Sequence, residues 1–136
     1  MRIVVAHNYY AEQGGEDVVF ELETEMLRKC GHEVETFVRY NRDIKTGHLR
    51  TFANAIWSRR VSNDLKQFCI RYKPELVHFH NTSFLLSPAS YYKVKSLGIP
   101  VIQTVHNYRM ACVNSMLYRN TSVCEDCVGK LVPING

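Results

Sequence analysis

Leu76-Val77-His78-Phe79-His80-Asn81 is the stretch on which the fold turns. It is a short apolar run, set off from a preceding helical pattern by Pro74 and closed by the dipeptide His-Asn. Two other stretches close the same way: Ile3-Val4-Val5-Ala6-His7-Asn8 and Val101-Ile102-Gln103-Thr104-Val105-His106-Asn107. Short β-branched runs separated by helical patterns are the signature of a parallel sheet buried on both faces. In open sheets of that kind, ligands bind in the crevice outside the carboxyl ends of the strands. Three His-Asn pairs at equivalent strand ends are therefore predicted to line one edge, and that edge is the predicted site. The plainer alternative is that Asn starts turns and His fills space.

Working outward, the first strand is expected over Arg2 to Ala6 and a helix over Glu16 to Lys29, with Val18, Val19, Leu22, Met26 and Leu27 as its apolar stripe. Gly31 suits the left-handed position that ends it. A second strand follows from Glu33 to Arg39, then a helical region from Lys45 to Tyr72. Leu49, Phe52, Ala53, Ile56 and Trp57 form one stripe there; Val61, Leu65, Phe68 and Cys69 form another, with Ser58 as a cap between them. Ser87-Pro88 reads as an N-cap and first turn, and Gly98 as the C-cap before the last strand. The alternation β-α-β-α-β-α-β with short connections predicts an α/β doubly wound parallel sheet in the order 2-1-3-4. Residues 1–107 form this domain. Residues 108–136 read as an irregular, cysteine-containing segment of the same domain, and the chain as part of a longer polypeptide.

At 136 residues the length fits one domain, and 46% hydrophobic against 22% charged residues is ordinary for a soluble protein. No apolar run is long enough to cross a bilayer, and the chain opens on a strand with no secretory leader. The five cysteines are therefore expected to be reduced and the protein cytoplasmic. The sequons Asn81-Thr82-Ser83 and Asn120-Thr121-Ser122 read as chance matches in that setting. Charge is unevenly spread: nine basic residues between Arg39 and Lys73 face only Asp43 and Asp64. Arg50, Arg59, Arg60, Lys66, Arg71 and Lys73 are interleaved with Phe52, Trp57, Phe68 and Tyr72, a pattern that suits an anionic membrane surface. Inward packing of those aromatics is the favoured alternative. No nucleic-acid motif accompanies the basic stretch, so nucleic acid is not expected as a partner.

Gly14-Gly15 lies between the first strand and its helix, where free N–H groups and the helix dipole favour a phosphate or another anion. The G-x-G-x-x-G spacing of dinucleotide folds is absent, which disfavours a nicotinamide or flavin cofactor. Glu16 and Asp17 read as partners of the helix dipole rather than catalytic acids. His80, at a strand end, is a candidate for the site, whereas His78, deeper in the strand, reads as a core histidine. Cys124-Glu125-Asp126-Cys127 with Cys112 upstream has zinc-ligand spacing, although a closed site needs four ligands. Three free thiols in a loop are the alternative. There is no H-E-x-x-H, no Ser-His-Asp order and no pair of carboxylates at a strand edge, so several hydrolase classes are disfavoured.

The stretches Arg2-Ile3-Val4-Val5, Gly14-Gly15-Glu16-Asp17-Val18-Val19, Cys30-Gly31-His32-Glu33-Val34, Lys73 to Asn81 and Gly98 to Arg109, in that order and spacing, resemble the amino-terminal domain of GT-B glycosyltransferases of family four, group one. The resemblance covers residues 1 to about 130. It implies a Rossmann-like half of a two-domain GT-B fold and retaining transfer from a nucleotide-sugar to a glycan or lipid-linked acceptor, with no metal or other cofactor required. By the same resemblance Gly14, Gly15, His106 and Asn107 would hold the donor, with His106 at the reacting sugar, and His7, Asn8, His80, Asn81 and Arg109 would face the acceptor. The resemblance also implies a bacterial, polysaccharide-building setting at the inner face of the membrane. It further implies a cysteine-rich branch in which a later residue completes a structural zinc site with Cys112, Cys124 and Cys127. A stand-alone flavodoxin-like binding module and a small zinc module are the competing readings.

Overall fold

The computed structural model describes residues 1–12, 14–43, 54–109, 111–112 and 114–130. They fall into two compact units, residues 1–104 and 105–136. The first unit runs β1 (Arg2–Tyr9), α1 (Gly15–Lys29), β2 (Glu33–Tyr40), a 3-10 turn (Asn41–Asp43), α2 (Arg59–Tyr72), β3 (Leu76–Phe79), α3 (Ala89–Lys95) and β4 (Val101–Gln103). All neighbouring strands in its four-stranded sheet are parallel, and the order is β2-β1-β3-β4, as the sequence predicts. The stripe residues Leu49, Phe52 and Ala53 lie outside the described residues, as does Arg50.

Period-two alternation sorts the strands onto two unlike faces. Val4, Ala6, Val77 and Phe79 point to one side and pack with Leu65 and Cys69 of α2, Val94 of α3 and Leu86. Phe68 and Tyr72 pack against the same cluster, so two of the aromatics in the basic stretch turn inward. Ile3, Val5 and Phe20 form a smaller cluster with Val34 beneath α1 on the other side. His7, His78 and His80 share the α1 side, because the β1–β3 register sets Val5 opposite His78.

Three local readings need correction. The apolar stripe read for α1 is largely not its buried face: Val18, Leu22 and Met26 are 46%, 60% and 53% exposed. Asp17, Phe20 and Thr24 are buried instead, with Leu27 half-buried. Their 3-4-3 spacing is also helical, and Asp17 and Phe20 are held inward by His7, which bonds one and stacks on the other. Secondly, Ser87 is not a side-chain cap for α3. Its backbone is left-handed and its Oγ accepts the Ser58 N–H at 2.8 Å, tying the turn before α3 to the start of α2. Thirdly, the cysteine-containing segment is not wholly irregular. Tyr118–Arg119 (β5) and Ser122–Val123 (β6) pair antiparallel about Asn120 and Thr121, both at positive φ, which is the geometry of a two-residue hairpin loop. Gly31 and Gly98 take the positive φ expected of helix ends.

Candidate functional site

The loop between β1 and α1 is braced from below by a buried relay. Gly14 precedes the helix, and its N–H donates to Asp17 Oδ2 at 2.9 Å. Asp17 Oδ1 lies 2.7 Å from His7 Nε2, and both side chains are buried. On the other edge of the ring, the Asn81 N–H points to His7 Nδ1 at 3.4 Å. A ring nitrogen that accepts there must carry its proton on Nε2, so the neutral imidazole donates to the Asp17 carboxylate. The His7 ring stacks on Phe20 with centroids 4.5 Å apart, which fixes its plane. The acid three residues after the N-terminal cap is the position from which a carboxylate reaches back to the cap N–H. That spacing is the sequence signal that marks Asp17 as the organiser of the loop, beyond a partner for the helix dipole.

Among the described residues, a Cβ on Gly15 would meet nothing within 4 Å, and one on Gly14 would come no nearer than 3.9 Å, to Glu16 Cγ. Gly14 is extended, at φ −120°, so no strain demands glycine there. The glycines therefore leave space over the start of α1 that any side chain would occupy.

The pairs His7-Asn8 and His80-Asn81 lie side by side and lock to each other. Asn8 N donates to Asn81 O at 2.9 Å, and Asn81 Nδ2 donates to Asn8 O at 2.7 Å. Asn8 Nδ2 donates to Asn41 Oδ1 and to Ser83 O, while Asn81 Oδ1 accepts the Ser83 N–H. Asn8 Oδ1 is buried with no hydrogen-bond partner among the described residues. Asn81 also reaches Glu16 Oε1 at 3.3 Å. The third pair is not equivalent. Phe79 is level with Gln103 and receives the Thr104 N–H, so it is Thr104, not His106, that sits beside His80.

Thr104 belongs to a second polar group on the α1 side. His80 Nε2 lies 3.0 Å from Glu23 Oε2, at ion-pair distance but off the line of a good hydrogen bond. His78 Nε2 meets Thr104 Oγ1 at 2.8 Å, and that hydroxyl points on to Glu23 Oε2 at 3.5 Å. His78 is thus a hydrogen-bonded core histidine, as the sequence suggests, whereas nothing in the sequence marks Glu23 or Thr104. Tyr9, at the end of β1, has its hydroxyl pushed up to about 12 by burial and by Glu21.

His106, Asn107 and Arg109 belong to the second unit. Asn107 Oδ1 accepts the Arg109 N–H at 3.0 Å, and Arg109 Nε reaches Ser115 Oγ at 3.3 Å. In the same unit Cys112 and Cys127 are buried and Cys124 half-buried. Backbone N–H groups, that of Leu117 foremost, hold the Cys112 thiol below its ordinary value. All described cysteines are free thiols, and the three do not form a three-ligand group among the described residues. Burial pushes the Cys69 thiol, in the core, up to about 11. Arg59, Arg60, Arg71 and Lys73 are exposed, and Trp57 leans on Tyr92 with centroids 5.5 Å apart. No described helix is long and apolar enough to cross a membrane.

A four-stranded parallel sheet in the order β2-β1-β3-β4, flanked by helices, defines an α/β domain of the Rossmann-like class. Over residues 13–122 the chain matches the family model described as Glycosyltransferase Family 4, and it belongs to that family. Its partners are, in general terms, a sugar donor and a sugar acceptor. No curated protein and no solved structure matches the chain.

Proposed function

We propose that this domain serves retaining transfer of a sugar from a nucleotide-sugar to a glycan or lipid-linked acceptor, and that Gly14-Gly15 receives the donor diphosphate. The observation that carries the reading is the uncovered Gly14-Gly15 backbone at the start of the 15-residue α1, braced by Asp17 and His7. Backbone N–H groups and the helix dipole there favour a dianionic phosphate, and absent side chains let it approach. His106 and Asn107 are assigned to the donor sugar by family resemblance, and His7, Asn8, His80, Asn81 and Arg109 to the acceptor side. Given how deeply His7 and Asn81 are engaged, their contribution is to hold the loop and strand ends in place rather than to touch sugar. No side chain is assigned as the base: following the family resemblance, the donor phosphate is proposed to deprotonate the acceptor, and no metal is assigned to the transfer.

By the family resemblance most of the donor is held by a second domain, so residues 1–136 by themselves are proposed to bind nucleotide-sugar weakly and to transfer nothing. A cytoplasmic setting, with peripheral contact at the inner face of a bacterial membrane in polysaccharide synthesis, fits lipid-linked acceptors and the exposed Arg59, Arg60, Arg71 and Lys73. By the family resemblance a cysteine site completed elsewhere would add a structural zinc, although Cys112, Cys124 and Cys127 do not converge as a ligand group among the described residues.

The test is a transfer assay on the protein carrying this domain together with its donor domain, run over a panel of nucleotide-sugars. His106→Ala is expected to cut transfer at least a hundredfold while changing nucleotide affinity less than threefold, and Gly15→Val to weaken both. Full activity in both variants would overturn the assignment.

A further inference from the structure

We propose that Glu23, His78 and His80 form a zinc site that clamps α1 to β3. His78 and His80 are two residues apart on one strand, so their rings project from the same face of the sheet. Both rings are buried, with centroids 4.5 Å apart. Glu23 comes down on them from α1, one oxygen 3.0 Å from His80 Nε2. One ligand atom from each of the three lies within 4.8 Å of the other two. Around a tetrahedral zinc, bonds of about 2.0–2.2 Å put neighbouring ligands roughly 3.4 Å apart. The group therefore has to close by little more than an ångström. Glu23 is only partly covered, so its side chain can make that movement and leaves the ion a route in.

The donor set selects the metal. Two imidazoles and one carboxylate suit zinc and its transition-metal neighbours, whereas magnesium and calcium prefer oxygen alone. Thr104 Oγ1, now between His78 and Glu23, stands where a fourth oxygen or a metal-bound water would be steered. The same helix begins at Gly14-Gly15 and the same strand leads to Asn81. An ion here would fix the braced loop to the sheet without entering the transfer chemistry. This site is separate from the cysteines of the second unit.

The test must silence those cysteines. In a variant with Cys112, Cys124 and Cys127 changed to Ser, isothermal titration with Zn2+ should show one ion per chain and a raised Tm, with no response to Mg2+. Adding Glu23→Gln or His78→Gln to that variant should each weaken zinc binding at least tenfold, with unchanged far-ultraviolet circular dichroism confirming the fold. In the unaltered chain, Co2+ should give a visible spectrum whose intensity falls with the same two substitutions. Zinc binding that vanishes in the triple Ser variant, or that ignores both substitutions, would overturn the site.

Discussion

The two faces of the sheet are built on different principles. The face covered by α2 and α3 is apolar throughout its centre: Val4, Ala6, Val77, Phe79, Leu65, Leu86 and Val94 are buried together. The face covered by α1 alternates a small apolar cluster with buried polar groups: His7, Asp17, His78 and His80. The first face holds the domain together by burial, which is non-directional and tolerant of exchange. The second spends part of its burial on directional bonds, each needing a specific partner. A domain that needed only stability would have no use for the second arrangement. Its bonds are positional: His7 and Asp17 lead to the glycine loop, and His78 and His80 tie β3 to Thr104 and to Glu23 of α1.

Substitutions that shift one face and spare the other can break that contrast. The largest effect is expected on the apolar side, where Phe79→Ala should destabilise by about 3–5 kcal/mol through lost burial and a residual cavity. Urea denaturation would measure it. On the polar side, Asp17→Ala strips the acceptor from both His7 and the Gly14 N–H and should cost about 1–3 kcal/mol. Unlike Phe79→Ala, it should also shift the Gly14 and Gly15 amide resonances in conditions where the chain stays folded. Leu22→Ala, on the outer surface of α1, should stay within about 0.5 kcal/mol. A larger loss there would mean that the exposed stripe of α1 is covered in solution.

A pH dependence separates the faces further. Cys69 of the apolar face ionises near 9.0 when unfolded and about 11 when folded. Between those values the unfolded chain has shed a proton that the folded chain keeps, so stability falls as pH rises. The contribution is fully present below about pH 9 and lost by about pH 11. Cys69→Val should flatten the midpoint of urea unfolding across that window; an unchanged slope would place its cause in another group.

The sheet was legible because its strands are continuous apolar runs between helical patterns, and parallel connection then leaves few orders. The face of α1 was misread because two helical stripes coexist in it. Val18, Leu22 and Met26 outscore Asp17, Phe20 and Thr24 in hydrophobicity, yet His7 selects the second set. No single-sequence pattern reveals that a histidine on another strand will bond an aspartate. The His-Asn repeat was legible as a feature but not as a register. Two of its copies pair across β1 and β3, while the third comes two residues later in the chain, past the end of β4. Spacing within a strand is written in the sequence; the alignment between strands is set by packing.

The central claim is that the start of α1 receives the phosphates of a sugar donor. Nuclear magnetic resonance of the nitrogen-15-labelled chain, titrated with a nucleoside diphosphate and separately with the bare nucleoside, tests it most directly. The account predicts that the Gly14, Gly15 and Glu16 amides move with the diphosphate, saturably and weakly, and stay still with the nucleoside. Amides that remain fixed at high diphosphate concentration, or a response confined to the far end of the sheet, would contradict it.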